Sequence, residues 1–276
     1  MNFQAIVSDI NELPPLSDVA RIVNRLYNEG SANVNILHLV KAIESDAALS
    51  ANILHMINAP YYGFSKKIAS ISQAVTLFGT DLIYGLVQNY AISINVKANM
   101  RPYGVTNKKF NEICHIQSAL MTQWYSRVDL RHAQFLASLA LIMETGKLVV
   151  AREIVKSGTI KEFTQGIQES EDTTLYEHEL FGSSSYYISG LLFEHWNMEP
   201  LYVEILKGLD YESKKSTTQQ MDAYIASLDV VRTAVNVKGV LTDESLQRSA
   251  ELVEDMNFYV DDFLMIANRI KKRYEQ

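Results

Sequence analysis

The sequence predicts an all-α protein, and three observations carry this prediction. Apolar residues recur at helical spacing along most of the chain, as they do in Leu16, Val19, Ala20, Val23 and Leu26. No stretch alternates apolar and polar residues with the two-residue period of a half-buried strand. Only 12 glycines and 5 prolines interrupt the 276 residues. Together these features favour a bundle of helices.

The composition indicates a folded chain and narrows the possible partners. Hydrophobic residues make up 47% and charged residues 21% of the chain, a balance typical of globular proteins. Its 276 residues correspond to roughly two domain-sized units. A net charge of −7 disfavours broad nucleic-acid binding, because contacts to phosphates require clustered lysines and arginines. We therefore expect no nucleic-acid partner.

The cysteine content and the longest apolar run indicate in which cellular compartment the protein is expected. Cys114 is the only cysteine, so neither an internal disulfide nor a thiolate metal cluster can form. The apolar run at 136–143 is much shorter than the roughly 20 residues of a membrane span. We expect a cytoplasmic protein that does not enter a membrane.

Helix boundaries can be read in the first half of the chain. Asp46 is a typical N-cap, and the helix after it should end near Asn58, because Pro60 lacks a backbone donor. Ser70 is followed three residues later by glutamine, a capping box that opens a short helix ending at Gly79.

The second half contains further helix signals, and two polar segments of the chain predict its division into units. Thr174 and Glu177 form a second possible capping box, here predicted to open a long helix that continues to Leu192. Pro200 should start another helix. Three more helical patterns follow near 219–237, 243–256 and 260–274. The polar segments at 99–109 and 213–220 divide the chain into predicted units 1–105, 106–212 and 213–276.

The stretch from Asn58 to Gly79 carries the most specific motif in the sequence. It reads Asn-Ala-Pro-Tyr-Tyr-Gly and continues, after a short polar link, as Ile-Ala-Ser-Ile-Ser-Gln-Ala-Val-Thr-Leu-Phe-Gly. This pattern resembles the signature of the HDOD domain, a bacterial signalling module named for its likeness to HD-type metal phosphohydrolases. The resemblance extends over about residues 10–210. It implies an N-terminal helical subdomain packed on a degenerate HD-like helical bundle.

The same resemblance indicates where metal ligands would stand, and the expected side chains are missing. The segment Leu139–Leu148 resembles Leu-Leu-His-Asp-Ile-Gly-Lys-Leu, with Met143 in place of the histidine and Glu144 in place of the aspartate. Gln117 stands at the position of the first histidine and Ser185 at that of a later one. A thioether, an amide and a hydroxyl bind hard divalent ions weakly. We therefore expect no bound metal, no cofactor and no catalytic residue.

His195 completes the group that we interpret as a relic pocket, together with Gln117, Met143, Glu144 and Ser185. It falls on the inner face of its predicted helix, seven residues after a buried-type isoleucine. It is either a relic ligand or a core histidine that hydrogen bonds to a carbonyl, which is the commoner arrangement.

The loop Asn58, Tyr61, Tyr62 and Gly63 allows two interpretations. In the first, the rings pack onto the bundle while Asn58 caps the backbone. In the second, the loop is a surface for a protein partner, because aromatic anchors supply much of the energy of such interfaces.

The sequence and the family resemblance lead to one main functional hypothesis and two alternatives. The main hypothesis is a non-catalytic adaptor in bacterial signal transduction, in motility, chemotaxis or a cyclic-dinucleotide pathway, that acts by binding a signalling protein. The first alternative is a sensor that binds a nucleotide or metabolite in the relic pocket. The second is a residual metal-dependent phosphohydrolase.

Overall fold

Helices form nearly all of the regular structure in the computed structural model, which describes residues 3–28, 33–210 and 218–275. The all-α prediction is confirmed. The helices of the first half are α1 (Phe3–Asn11), α2 (Asp18–Asn28), α3 (Ile36–Glu44), α4 (Ala47–Ile57), α5 (Ile71–Asn95) and α6 (Asn107–Tyr125). Those of the second half are α7 (Ala133–Ile142), α8 (Gly146–Ser157), α9 (Ile160–Glu169), α10 (Thr173–Phe181), α11 (Ser185–His195), α12 (Pro200–Gly208), α13 (Gln219–Ala234), α14 (Asp243–Asp255) and α15 (Val260–Tyr274).

The predicted caps of the first half are present. The Asp46 carboxylate accepts hydrogen bonds from the first backbone amides of α4, and that helix ends with Asn58 as its C-cap. Ser70 accepts from the amide of Gln73 at 3.2 Å and begins α5. At Gly79 the backbone has φ 75°, so α5 bends sharply there and then continues to Asn95. The predicted helix end is therefore a bend between two helical segments.

The predicted long helix after Thr174 is two helices, and its cap is a different residue. Asp172 accepts hydrogen bonds from the amides of Thr174 and Leu175, which makes it the N-cap of α10. The prediction that Thr174 and Glu177 form a capping box is wrong, because Asp172 already satisfies the free amides of the first turn. The chain turns at Gly182 and α11 begins at Ser185.

The C-terminal patterns match α13, α14 and α15, with one small addition. A two-residue antiparallel ribbon joins α13 to α14, with β1 (Val235–Asn236) paired to β2 (Gly239–Val240). The first of these patterns therefore ends at Ala234, three residues earlier than predicted.

One hydrophobic core extends from Ile6 on α1 to Ile270 on α15 and crosses the predicted boundary at residue 105. The division of the chain into three units stays a prediction, and the boundary between residues 212 and 213 lies outside the described residues. The segment Ala133–Ser157 is long and apolar enough to cross a membrane, but 83% of its most apolar window is buried inside the protein. This burial is typical of a core helix.

Candidate functional site

A buried ion pair lies where the polypeptide passes from α7 to α8. Glu144 belongs to the 3-10 turn Met143–Thr145 that joins the two helices, and Lys147 follows in the first turn of α8. The Lys147 Nζ lies 2.6 Å from Glu144 Oε2, and each side chain is only 2% exposed. Because charges buried at this depth are costly, such a pair requires further hydrogen bonds.

Side chains from α6 and α11 provide those hydrogen bonds. Gln117 Nε2 donates to Glu144 Oε1 at 2.8 Å, and the Tyr186 hydroxyl donates to the same oxygen at 3.0 Å. Lys147 Nζ donates to Ser185 Oγ at 3.0 Å and lies 4.3 Å from the centre of the Tyr186 ring. These five residues form what we call the ion-pair network.

The network keeps both members of the pair charged. Burial alone would raise the pKa of Glu144, but the Lys147 ammonium and the donors Gln117 and Tyr186 outweigh it and lower that pKa. Burial alone would lower the pKa of Lys147, but the Glu144 carboxylate outweighs it and holds that pKa above its usual value. The pair is therefore fully ionised across the neutral pH range.

These side chains do not fit a divalent metal ion. The Lys147 ammonium already contacts both Glu144 and Ser185, two of the positions that the family resemblance assigns to metal ligands. A fixed ammonium group repels a cation placed beside it. Gln117 adds only a neutral amide, and no group of three or more His, Cys, Asp or Glu that could hold a metal exists within the described ranges. Lys147 supplies the positive charge that balances the buried Glu144 carboxylate.

The structure brings together part of the predicted relic pocket. Gln117, Glu144 and Ser185 meet in the ion-pair network, and Met143 is buried beside it, with its carbonyl accepting from Ser189 Oγ at 2.7 Å. His195 lies at the opposite end of α11, ten residues after Ser185 or about 15 Å along the helix axis.

The placement of His195 in the pocket is therefore wrong. His195 is half-buried, and its Nε2 lies 3.4 Å from the carbonyl oxygen of Leu13, which agrees with the carbonyl-bonded histidine of the second interpretation.

Two members of this region were missed by sequence reasoning. Lys147 was treated only as the end of a Gly-Lys-Leu match, although a lysine inside the apolar first turns of α8 is itself a signal of a buried ion pair. Glu177 was treated as a cap. It is fully buried and accepts from the Tyr103 hydroxyl and from the backbone amide of Ser185, each at 2.7 Å.

A polar cleft of about 780 Å³ opens beside the network and is lined in part by Lys147, Tyr186 and Arg232. Gln117, Met143, Ser185 and His195 are not among its lining residues. Four of the five residues of the predicted relic pocket are buried, namely Gln117, Met143, Glu144 and Ser185.

The loop that contains the two tyrosines is tied together by Asn58. Its side-chain amide donates to the carbonyls of Leu54 at 2.6 Å and Ile68 at 2.9 Å, and its oxygen accepts from the amide of Ile68 at 2.8 Å. Gly63 ends the turn with φ 83°. The guanidinium group of Arg273 on α15 lies directly against this glycine, where a Cβ atom would collide with it.

The two tyrosines differ in exposure. Tyr62 is buried, with its hydroxyl 3.2 Å from His115 Nδ1 and its ring edge-on to Phe78 at 5.4 Å. Tyr61 is half-buried, and its ring lies 5.3 Å from that of Tyr62. The first interpretation of the loop, packing onto the bundle, therefore describes Tyr62 and Asn58. Tyr61 remains accessible from one side.

His115 has no role in the sequence analysis, because it precedes Gln117, the position aligned with the first metal histidine, by two residues. Burial lowers the pKa of His115 to about 4, so the ring is neutral at pH 7. Together with Tyr61 and Asn58, it lines a cleft of about 1020 Å³ between α4, α5, α6 and the end of α15. This cleft is separate from the ion-pair network.

The fold and the network define a class of protein, an HD-like helical bundle in which an ion pair occupies the region of the metal ligands. The model of the HDOD domain matches residues 13–208, which is most of the chain. This chain belongs to the HDOD domain family, as the tyrosine-loop motif predicts.

Solved structures show the same fold over nearly the whole chain. A candidate phosphohydrolase from Shewanella amazonensis is 16% identical, with a TM-score of 0.69 and coverage of 98% of this chain and 97% of the other. An HDOD domain protein of unknown function from Geobacter sulfurreducens is 18% identical, with a TM-score of 0.64 and coverage of 98% and 92%. A candidate signal transduction protein from Marinobacter aquaeolei is 19% identical, with a TM-score of 0.63 and coverage of 95% and 60%. Among curated proteins, no match was found.

Proposed function

We propose that this chain is a non-catalytic regulatory protein that acts in bacterial signal transduction by binding another protein in the cytoplasm. One observation carries the proposal, the contact of Lys147 Nζ with Glu144 Oε2 at 2.6 Å in the region of the HD metal ligands. Hydrolysis of the HD type requires a metal ion that activates water. A lysine ammonium held by a carboxylate and a serine hydroxyl has no coordination position and cannot activate water as a Lewis acid.

Membership of the HDOD family supports the signalling part of the proposal, since the family resembles hydrolases in fold and is associated with signalling. The Marinobacter aquaeolei structure, described as a candidate signal transduction protein, is in line with this role. The Shewanella amazonensis structure is described as a candidate phosphohydrolase. The residual-hydrolase hypothesis therefore needs its own test, with metal added.

Exposed apolar side chains beside the tyrosine loop support the partner-binding part of the proposal. Phe64 is 45% exposed and Leu77 on α5 is 50% exposed, and both line a groove of about 290 Å³ that also borders Ile266 on α15. Arg269 stands at the same groove and has no ion-pair partner among the residues that the structure describes. An apolar segment flanked by acidic residues complements this groove. We define Phe64, Leu77, Ile266 and Arg269 as the partner groove.

The experiment that tests this function is affinity capture from cells that express the chain naturally, followed by reconstitution with the purified partner. The variant Phe64→Ser/Leu77→Ser should lose a partner that the wild type retains at near-equal stoichiometry. The matched control is Leu130→Ser, since Leu130 is 72% exposed but lies in the turn between α6 and α7, away from the groove. A partner that all three proteins capture equally would contradict the groove.

The catalytic alternative is tested on the same purified protein. We expect no hydrolysis of phosphomonoester or phosphodiester substrates when Mn²⁺ or Mg²⁺ is added. Activity that requires the metal, disappears with chelator and is lost in Glu144→Gln would contradict the non-catalytic proposal.

A further inference from the structure

The large cleft beside the tyrosine loop has the properties of a small-molecule site, although nothing in the family resemblance assigns it one. Its volume of about 1020 Å³ is at the upper end of the range for ligand pockets, roughly 300–1,000 Å³. Its walls come from α4, α5, α6 and α15, and therefore from both halves of the chain. The tyrosine loop forms one side.

The charge of the cleft favours an anion. Lys67, Lys108 and Arg273 line it, whereas Glu112 is the only carboxylate among its lining residues. Lys108 lies 3.8 Å from Glu112, so these two charges offset each other. Lys67 and Arg273 have no ion-pair partner within the described part of the chain. A local excess of positive charge in a chain of net charge −7 marks a site for an anionic group.

The remaining walls suit a planar ring with hydrogen-bonding edges. The half-buried Tyr61 ring and the neutral His115 imidazole lie nearly parallel, with centroids 6.4 Å apart, and both border the cleft. Asn89 and Asn111 also line it, and an asparagine amide presents both donors and an acceptor. Because Nδ1 of His115 faces the Tyr62 hydroxyl, the Nε2 atom is the one left for contact within the cleft.

We propose that this cleft binds a nucleotide, with its phosphate near Lys67 and Arg273 and its base against Tyr61 and His115. Arginine and lysine are the usual partners of phosphate oxygens. Aromatic faces stack on nucleobases, and amide side chains hydrogen bond to base edges. The proposal does not depend on the adaptor function or on the ion-pair network.

The proposed site includes residues of the C-terminal helix as well as residues of the family domain. Arg273 and Tyr274 belong to α15, which lies beyond the residues 13–208 matched by the family. The Tyr274 hydroxyl lies 3.4 Å from Glu112 on α6, and its ring lies 4.5 Å from Lys109 Nζ. A nucleotide that contacts both Arg273 and Tyr61 would hold α15 onto the tyrosine loop. Binding should therefore raise the melting temperature of the full chain.

The test is isothermal titration of the purified full-length protein with AMP, GMP, CMP and UMP, and with the corresponding nucleosides and inorganic phosphate as comparison probes. We expect at least one monophosphate to bind with measurable heat and about tenfold or more tighter than its nucleoside, the effect of one charge-assisted contact. Arg273→Gln and Lys67→Gln should each weaken that binding by about tenfold.

Lys272→Gln is the matched control, because Lys272 is exposed on α15 next to Arg273 and does not line the cleft. It should bind like the wild type. The proposal is overturned if no monophosphate binds, if inorganic phosphate binds as tightly as every nucleotide, or if Lys272→Gln loses as much affinity as Arg273→Gln.

Discussion

The ion-pair network and the nucleotide cleft contain similar kinds of side chain, yet they differ in how these side chains are satisfied. In the network, Lys147 has a buried carboxylate, a hydroxyl and an aromatic ring as neighbours. In the cleft, Arg273 and Lys67 have no paired acid among the described residues, and the Arg273 guanidinium packs against Gly63. The charges in the first region are balanced within the protein, whereas the second region leaves two cations available to a ligand.

This difference distinguishes polar side chains that stabilise the fold from polar side chains that are available to bind a ligand. A buried charged network that satisfies all of its strong donors specifies packing and gains nothing from a ligand. A half-open cleft with unpaired cations and accessible rings gains favourable contacts when a complementary molecule enters. Mutations in the first region should therefore change the stability of the fold, and mutations in the second should change binding.

The largest expected effect comes from breaking the buried pair. Lys147→Met leaves the Glu144 carboxylate buried without its cation, which should lower the free energy of unfolding by about 3–5 kcal/mol. Urea denaturation measures this change.

The control for that prediction is Lys271→Met, which removes an ion pair to a nearly fully exposed Asp243 carboxylate. An exposed pair contributes about 1 kcal/mol or less, so the two variants should differ several-fold. If both variants lost the same free energy of unfolding, the buried pair would contribute no more to stability than an exposed ion pair.

The second effect is a pH dependence that arises at the edge of the cleft. The neutral folded-state His115 has a pKa of about 4, whereas an unfolded histidine takes up a proton near pH 6.5. The stability that this neutral ring contributes is present above pH 6.5 and is lost as the pH falls towards 4. At pH 5 the loss should be about 2 kcal/mol.

His115→Asn tests that prediction, because its amide can keep a hydrogen bond to Tyr62 without titrating in this range. The variant should lose about 2 kcal/mol less than the wild type between pH 7 and pH 5, as measured by urea denaturation at each pH. His38→Asn, at an exposed position on α3, should follow the wild type. An unchanged pH profile in His115→Asn would contradict the burial of a neutral imidazole.

The third effect is a loosening of the tyrosine loop. Asn58→Ala removes two hydrogen bonds to Ile68 and one to the carbonyl of Leu54 in α4, and it should lower the free energy of unfolding by about 2 kcal/mol. Asn268→Ala, which removes one exposed hydrogen bond within α15, should cost less than about 0.5 kcal/mol. Equal stability of these two variants would contradict a stabilising role for the hydrogen bonds of Asn58.

The smallest expected change in stability comes from replacing a cation that lines the cleft. Arg273→Gln should alter the free energy of unfolding by no more than about 0.5 kcal/mol, since its guanidinium has no ion-pair partner among the described residues. A loss as large as that of Lys147→Met would place Arg273 among the structural residues and remove the contrast between the two regions.

The sequence predicted the helices well because local signals determine them. Asp46, Ser70 and Pro200 each begin a helix where capping chemistry requires it. Glu177 was misassigned because a capping box and a buried carboxylate present the same residue at the same spacing. Only the position of Asp172, which caps α10, distinguishes the two cases.

The site was less predictable. Helical periodicity shows on which face of a helix a residue lies, but it does not show which residues of other helices lie next to it. His195 and Ser185 both face inward, yet α11 separates them by about 15 Å. The cleft could not be predicted at all. It requires Arg273 on α15 to meet a loop some 210 residues earlier, and no local pattern encodes that contact.

The central claim, that the ion-pair network around Glu144 and Lys147 holds no metal ion, can be tested directly. The measurement is the metal content of the protein purified without chelator, together with its melting temperature before and after addition of EDTA or Mn²⁺. We predict substoichiometric metal and a melting temperature that neither addition changes. Stoichiometric metal, with a melting temperature that falls when EDTA removes it, would contradict the account.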